Sequence, residues 1–309
     1  MPEKKPILLA GATASGKSAL ALELAGRLDG VIINADALQV YDCWQLLSAR
    51  PDAADLATAP HALYGHVAHD APYSVGAWLR DVAPFLQEPA QRPIIVGGTG
   101  LYFSALTDGL ADIPPVPDDV RRRGNDLRET IGAAGFVEIL QKSDPGSLAR
   151  LDANNPMRLQ RAWEVLAATG KGLAAWQADA SPPLLPITAC NTYVINVETS
   201  VLDARISRRF DQMLAQGAME EVRAAVVRGW NPALPSSRAI GAAELVEVLE
   251  GKRDLPAAVS AAKLASRQYA KRQRSWFRNR LGHWPQLAYT TGAERKAALD
   301  MIAAQKLLI

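Results

Sequence analysis

Three short apolar runs punctuate the first third of the chain: Ile7 to Ala10, Val31 to Ile33 and Pro93 to Val96. None alternates polar with apolar positions, as a strand with one wet face would. Each therefore reads as a strand buried on both sides, the pattern of a parallel sheet covered by helices. Ala19 to Leu28, rich in Ala and Leu, predicts a helix between the first two strands. Tyr193 to Val197 predicts a further strand, and from Leu202 the pattern turns helical. One helix ends near Gly229, one runs from Gly241 to Glu250, and one from about Pro256 to Phe277.

The run Ile113-Pro114-Pro115-Val116-Pro117 is a stiff linker, and residues 118–180 then read as wholly helical until Ser181-Pro182-Pro183. Within that stretch Asn155 followed by Pro156 predicts a helix start, and Gly170 a stop. The expected architecture is α/β: a parallel sheet flanked by helices, built from residues 1–115 and 190–309, with a helical insertion over residues 116–189. In such sheets the loops after the strands line the ligand crevice, so the segments following residues 10, 33 and 96 are expected to converge.

The first of those loops is Gly11-Ala12-Thr13-Ala14-Ser15-Gly16-Lys17-Ser18, which fits GxxxxGK[ST] between a strand and a helix. Such a loop turns backbone N–H groups onto phosphate oxygens, Lys17 adds a full positive charge, and Ser18 can ligate Mg²⁺. The fold class is thus a P-loop NTPase-like one, whose loop can hold a nucleoside triphosphate such as ATP for phosphoryl transfer or a diphosphate that departs as leaving group. Asp36, just past the second strand, would face the phosphates and act as general base, with Gln39 bonding the acceptor. Asp36 capping a turn is the plainer alternative. The third strand lacks the acid that an ATPase uses for Mg²⁺ and ends in Gly97-Gly98-Thr99-Gly100. That loop suits close approach of a substrate with a hydrogen bond from Thr99, or else a tight turn needing positive φ.

With 49% apolar and 21% charged residues the chain is globular rather than disordered. Its net charge of +2 means that any affinity for nucleic acid must come from where the charge sits. Between Leu255 and Ala293 there are seven Lys or Arg and no acid, and Lys263, Arg267, Lys271, Arg274 and Arg278 share one helical stripe. Tyr269, Trp276, Phe277 and Trp284 offer rings for stacking among them. Arg121, Arg122, Arg123 and Arg128, with Arg158 and Arg161, add basic surfaces in the insertion. The alternative is a solvated face whose aromatics are core. Two cysteines make neither a disulfide framework nor a zinc site. With no signal peptide and no run of about 18 apolar residues, a cytoplasmic location is expected, away from membranes.

Six ordered motifs resemble those of the bacterial tRNA dimethylallyltransferases, or isopentenyltransferases. Residues 11–18 are similar to GPTASGKT, 36–41 to DSxQVY, 95–102 to VGGTGLY, 155–165 to NDxQRxxRALEV, 205–213 to RVxxRFxxML, and 266–273 with Trp276 to TRQYAKRQxTWF. Ala12, Met157, His61-Ala62, Ser48 to Pro51 and Ala242-Ala243 depart from the family pattern. The resemblance implies transfer of a dimethylallyl group from its diphosphate to the exocyclic amine of the adenosine 3′ of the anticodon, in tRNAs reading codons that start with U. It implies Mg²⁺, a monomer, Asp36 as base, Thr99 assisting at the bridging oxygen, Lys17 and residues 11–18 on the diphosphate, and Arg205 neutralising the leaving group. It places tRNA at Asp36, Ala37, Leu38, Gln39, Thr99, Arg121, Met157, Arg158, Leu159, Gln160, Arg161, Lys271, Arg272 and Arg274, with the target base flipped out. Three alternatives stand beside it: a P-loop kinase, which would want an acidic metal partner; prenyl transfer to free nucleotides, which would not need RNA-scale basic surfaces; and a non-catalytic RNA-binding module, which would not need Asp36 opposite the loop.

Overall fold

The structure, a computed structural model, describes residues 5–87 and 89–304. It divides into two compact units, one of residues 1–107 with 184–309 and one of residues 108–183. In the first, six strands among the described residues form one parallel sheet: β1 (Ile7–Gly11), β2 (Gly30–Asn34), β3 (His61–Ala62), β4 (Arg92–Gly97), β5 (Asn191–Asn196) and β6 (Gln286–Ala288), in the order β3-β2-β4-β1-β5-β6.

The absence of alternation in the apolar runs has a direct cause. Ile7 and Leu9 of β1 pack on one face with Leu20, Leu24, Tyr193 and Ile206, while Leu8 and Ala10 pack on the other with Trp78, Phe103, Phe277 and Trp284. Both faces are covered, so every position is apolar. The edge strands β3 and β6 were not predicted; at two and three residues they carry no periodic signal and pair only because the neighbouring strand offers its free edge.

The helix Lys17–Leu28 starts at Gly16 (φ 88) and stops at Asp29 (φ 50), both left-handed. The basic helix runs Leu255–Arg280, capped by Asp254, whose carboxylate accepts the Ala257 N–H at 2.7 Å. The second unit contains the long helix Asp118–Ser143, broken at Gly132 (φ 59, ψ −159), and the helix Pro156–Thr169. As expected, Asn155 caps the latter, accepting the Arg158 N–H at 3.2 Å, and Gly170 ends it at φ 70. Phe136, Leu140, Leu159 and Ala162 are the core of this unit.

The split falls at 107/108 and 183/184, outside the proline linker expected as the boundary. Leu185 donates its N–H to Leu106 O at 3.0 Å, and Leu185 and Cys190 are buried in the core of the first unit, so the chain has rejoined that core before residue 190.

Candidate active site

The loops after β1, β2 and β4 converge, and their contacts can be followed atom by atom. Asn34, fully buried at the end of β2, accepts the Asp36 N–H (2.8 Å) and donates to Asp36 O and Leu63 O (both 3.0 Å), which fixes the turn carrying Asp36. Asp36 Oδ1 accepts the Leu38 N–H at 2.9 Å; Oδ2 has no hydrogen-bond partner among the described residues. Asp36 thus both shapes its turn and keeps one oxygen free. Thr99 Oγ1 accepts the Ala37 N–H at 2.9 Å, and the Thr99 N–H donates to Ala35 O at 3.2 Å, which ties the β4 loop to the β2 loop.

The glycines of 97–100 are required by close approach, and none has the positive φ that a tight turn would demand. A Cβ on Gly97 would lie 2.0 Å from Ala35 O, one on Gly98 2.3 Å from Gln273 Nε2, and one on Gly100 2.1 Å from the Trp276 ring. In the phosphate loop, Ala14 (φ 63) and Gly16 (φ 88) take left-handed conformations, and Ser15 N–H donates to Ala12 O at 3.1 Å. Lys17 Nζ bonds Ala12 O at 3.3 Å. Burial lowers the Lys17 ammonium to about 8, opposed by Asp36 and reinforced by Arg209.

A cavity of about 430 Å³ opens between these groups. Thr13, Lys17, Ser18, Asp36 and Arg209 supply its polar end, and Leu38, Leu47, Ile206, Phe210, Met213 and Ile240 an apolar wall. Ser266, Tyr269 and Arg272 of the basic helix line it as well, with the Arg272 guanidinium 5.7 Å from the Tyr269 ring centre. The arrangement can hold an anion at one end, an apolar group against the wall, and a proton donor at Asp36.

Arg209 is the residue that sequence reasoning missed. Burial lowers its pKa and Asp36 holds it up, whereas Arg205, one turn earlier, donates to Ser15 O (3.5 Å) and Thr290 O (2.9 Å). The arginine of the helix Thr199–Ala215 that lines the cavity is Arg209, while Arg205 bonds the Ser15 carbonyl of the phosphate loop. Arg209 fills the second arginine position of the pattern RVxxRFxxML that contains Arg205, so the signal was present. Gln39 also differs from expectation. Its amide nitrogen is engaged by Ser48 O and Ala49 O (both 2.9 Å), which orders the loop lining the cavity and leaves only its oxygen for an acceptor.

The basic stripe is partly spent on structure. Lys263 pairs with Asp211 at 2.6 Å and Arg274 donates to Thr199 Oγ1, while Lys271, Arg272 and Arg278 are exposed. Phe277 and Trp284 are core residues and Trp276 packs on Gly100, so of the four rings only Tyr269 lines the cavity. In the helical unit, Arg121, Met157, Arg158 and Arg161 are exposed. Leu159 and Gln160 are not available to RNA. Leu159 is fully buried, and Gln160 donates to Asn125 Oδ1 (2.9 Å) and Glu164 Oε1 (2.8 Å) while accepting from Arg128 (2.8 Å). Both occupy the inward face of their helix. Arg121 lies close enough to Arg161 to lower its pKa, after burial and against the pull of Glu164, so the two share a surface.

The family model described as IPP transferase matches residues 39–280. The chain belongs to the IPP transferase family. Among its relatives, a tRNA dimethylallyltransferase of Cereibacter sphaeroides is 57% identical over 287 residues, covering 93% of this chain and 90% of that protein. That of Paracoccus denitrificans is 52% identical over 284 residues, 91% of this chain and 93% of that one. Within the same family of folds, a tRNA isopentenylpyrophosphate transferase from Bacillus halodurans is 30% identical with a TM-score of 0.68, covering 98% of this chain and 97% of that one. A eukaryotic dimethylallyltransferase, described as acting on tRNA, is 25% identical with a TM-score of 0.82 over 98% of this chain and 78% of its own. The P-loop NTPase-like fold and the family read from the six motifs are both borne out.

Proposed function

We propose that this IPP transferase moves a dimethylallyl group from dimethylallyl diphosphate to the exocyclic amine of the adenosine 3′ of the anticodon, in tRNAs reading codons that start with U. The observation that carries the reading is the free Oδ2 of Asp36, set in one cavity with Lys17, Arg209 and an apolar wall. In this reading the amine nitrogen attacks C1 of the prenyl group, and the C1–O bond breaks with its electron pair leaving on the diphosphate. Asp36 Oδ2 takes the amine proton. Lys17, Arg209 and the amides of the phosphate loop offset the charge of the departing group. Thr99, whose oxygen accepts from Ala37, keeps its hydroxyl hydrogen free to donate a hydrogen bond to the bridging oxygen. Ser18 lines the cavity, and its hydroxyl would hold Mg²⁺ there, where the ion would help neutralise the leaving group.

Transfer RNA is held by Lys271, Arg272 and the exposed Arg121, Met157, Arg158 and Arg161, and the chain works as a monomer in the cytoplasm. No helix among the described residues is long and apolar enough to cross a membrane. The test is label transfer from dimethylallyl diphosphate to unmodified tRNA with an A-rich anticodon loop, in Mg²⁺. Asp36→Asn is expected to lose about 10²–10⁴-fold in rate while still binding inorganic diphosphate. Phosphate transfer from ATP to a small acceptor, without label in RNA, would replace this reading with a kinase.

A further inference from the structure

We infer that Gln273 is a positioning residue, a side-chain amide that holds the phosphate loop and the β4 loop in register so that donor and base meet. The inference rests on the prenyl-transfer reading of the cavity. Gln273 sits on the basic helix and is 5% exposed. Its Oε1 accepts the Thr13 N–H at 2.9 Å, and its Nε2 donates to Gly98 O at 3.0 Å. The last residue pair between β1 and β4 is Ala10 with Gly97, after which the two chains part.

A glutamine amide carries the same donor and acceptor as a peptide group. Here it bridges the two chains beyond the last strand pair, from Thr13 to Gly98, joining the loop that would carry the diphosphate to the loop that carries Thr99. From Gly98 the connection continues through Thr99 Oγ1 to the Ala37 N–H, next to Asp36. The sequence makes room for it: a Cβ at residue 98 would overlap Nε2 at 2.3 Å. Loss of this amide lets the two loops shift relative to each other, and a misplacement of about 1 Å can cost 10²-fold in rate.

Two variants separate positioning from packing. Gln273→Leu keeps the volume and removes both bonds. Gln273→Glu restores both when its carboxyl is protonated, accepting from Thr13 and donating to Gly98, and loses the second when ionised; burial favours the protonated form. Asp36, from the β2 loop, and Tyr269, on the same helix, are the titratable groups beside this position, and Lys17 lines the same cavity. The ratio to wild type at each pH therefore reads the ionisation of residue 273 together with its coupling to these groups.

For Gln273→Leu, amide hydrogen exchange is expected to quicken in residues 11–16 and 97–101 but not in Ala242–Leu249. Its kcat falls by about tenfold or more, with the donor KM within about threefold of wild type. The kcat of Gln273→Glu relative to wild type rises as pH is lowered and falls as it is raised. Unchanged exchange in Gln273→Leu, or a Gln273→Glu ratio that is flat with pH, overturns the inference. If Gln273→Leu does not fold, the pH ratio of Gln273→Glu decides alone. If the wild type transfers no label, the prenyl reading falls while the exchange pattern still tests the clamp.

Discussion

Burial lowers the Lys17 ammonium from 10.5 to about 8, with Asp36 opposing and Arg209 adding to the shift. Between those two pH values the folded residue binds fewer protons than the unfolded one. Stability therefore rises with pH across that window, and the cost of burying the charge is felt in full below about pH 8. Donor binding is expected to run the other way, because a diphosphate at Lys17 would pair with the charged ammonium. The affinity for dimethylallyl diphosphate is expected to fall as pH rises past about 8, and Lys17→Met to bind weakly without that limb. Calorimetric titration across pH 7 to 10 checks both, and an affinity of the wild type that is flat over this range would sink the assignment of Lys17 to the anion.

The elements that meet at the site are held by close backbone approach, which makes the glycines unequal. A Cβ on Gly97 would strike backbone, Ala35 O at 2.0 Å, which cannot swing away as a side chain would. Gly97→Ala is expected to destabilise by about 1–3 kcal/mol, the usual cost of overpacking. Gly26, exposed in the helix Lys17–Leu28, has nothing within 4 Å, and Gly26→Ala is expected to stabilise by about 0.5–1 kcal/mol. Urea denaturation with an unchanged m-value reads both. The loop that follows Gln39 is held by a different device: Glu221 accepts the N–H groups of Gln45, Leu46 and Leu47 at 2.5 to 2.9 Å, an anion satisfying three backbone donors beside the cavity.

At the scale of the molecule, the helical unit leaves and rejoins the core at neighbouring points, since Leu185 N–H meets Leu106 O at 3.0 Å. A variant with residues 108–183 replaced by a short Gly/Ser linker is expected to fold, to keep diphosphate binding and to lose tRNA binding. Calorimetry and a filter-binding assay separate the two, and tRNA affinity equal to wild type would remove the unit from RNA recognition. Within the intact chain, Arg121→Ala and Arg161→Ala should each lower the salt dependence of tRNA binding by about one counterion.

The parallel sheet, the phosphate loop, the place of Asp36 just past β2 and the family were legible in the order of the residues, because they depend on local features: apolar runs, a glycine spacing, a residue a fixed distance past a strand. The helix caps at Asn155 and Gly170 were legible for the same reason. Which members of a motif face the cavity is set by packing across the fold. Arg205 and Arg209 are one helical turn apart and equivalent in pattern, yet one bonds the Ser15 carbonyl of the phosphate loop and the other lines the cavity. Leu159 and Gln160 stand in a motif with Arg158 and Arg161 but point into their unit's core. Phe277 and Trp284 interleave with arginines along the chain and are buried, and the two edge strands have too few residues to show a period. Facing is set by what packs across from a helix or strand, and that partner lies far away in the chain, as Thr13 and Gln273 do, 260 residues apart.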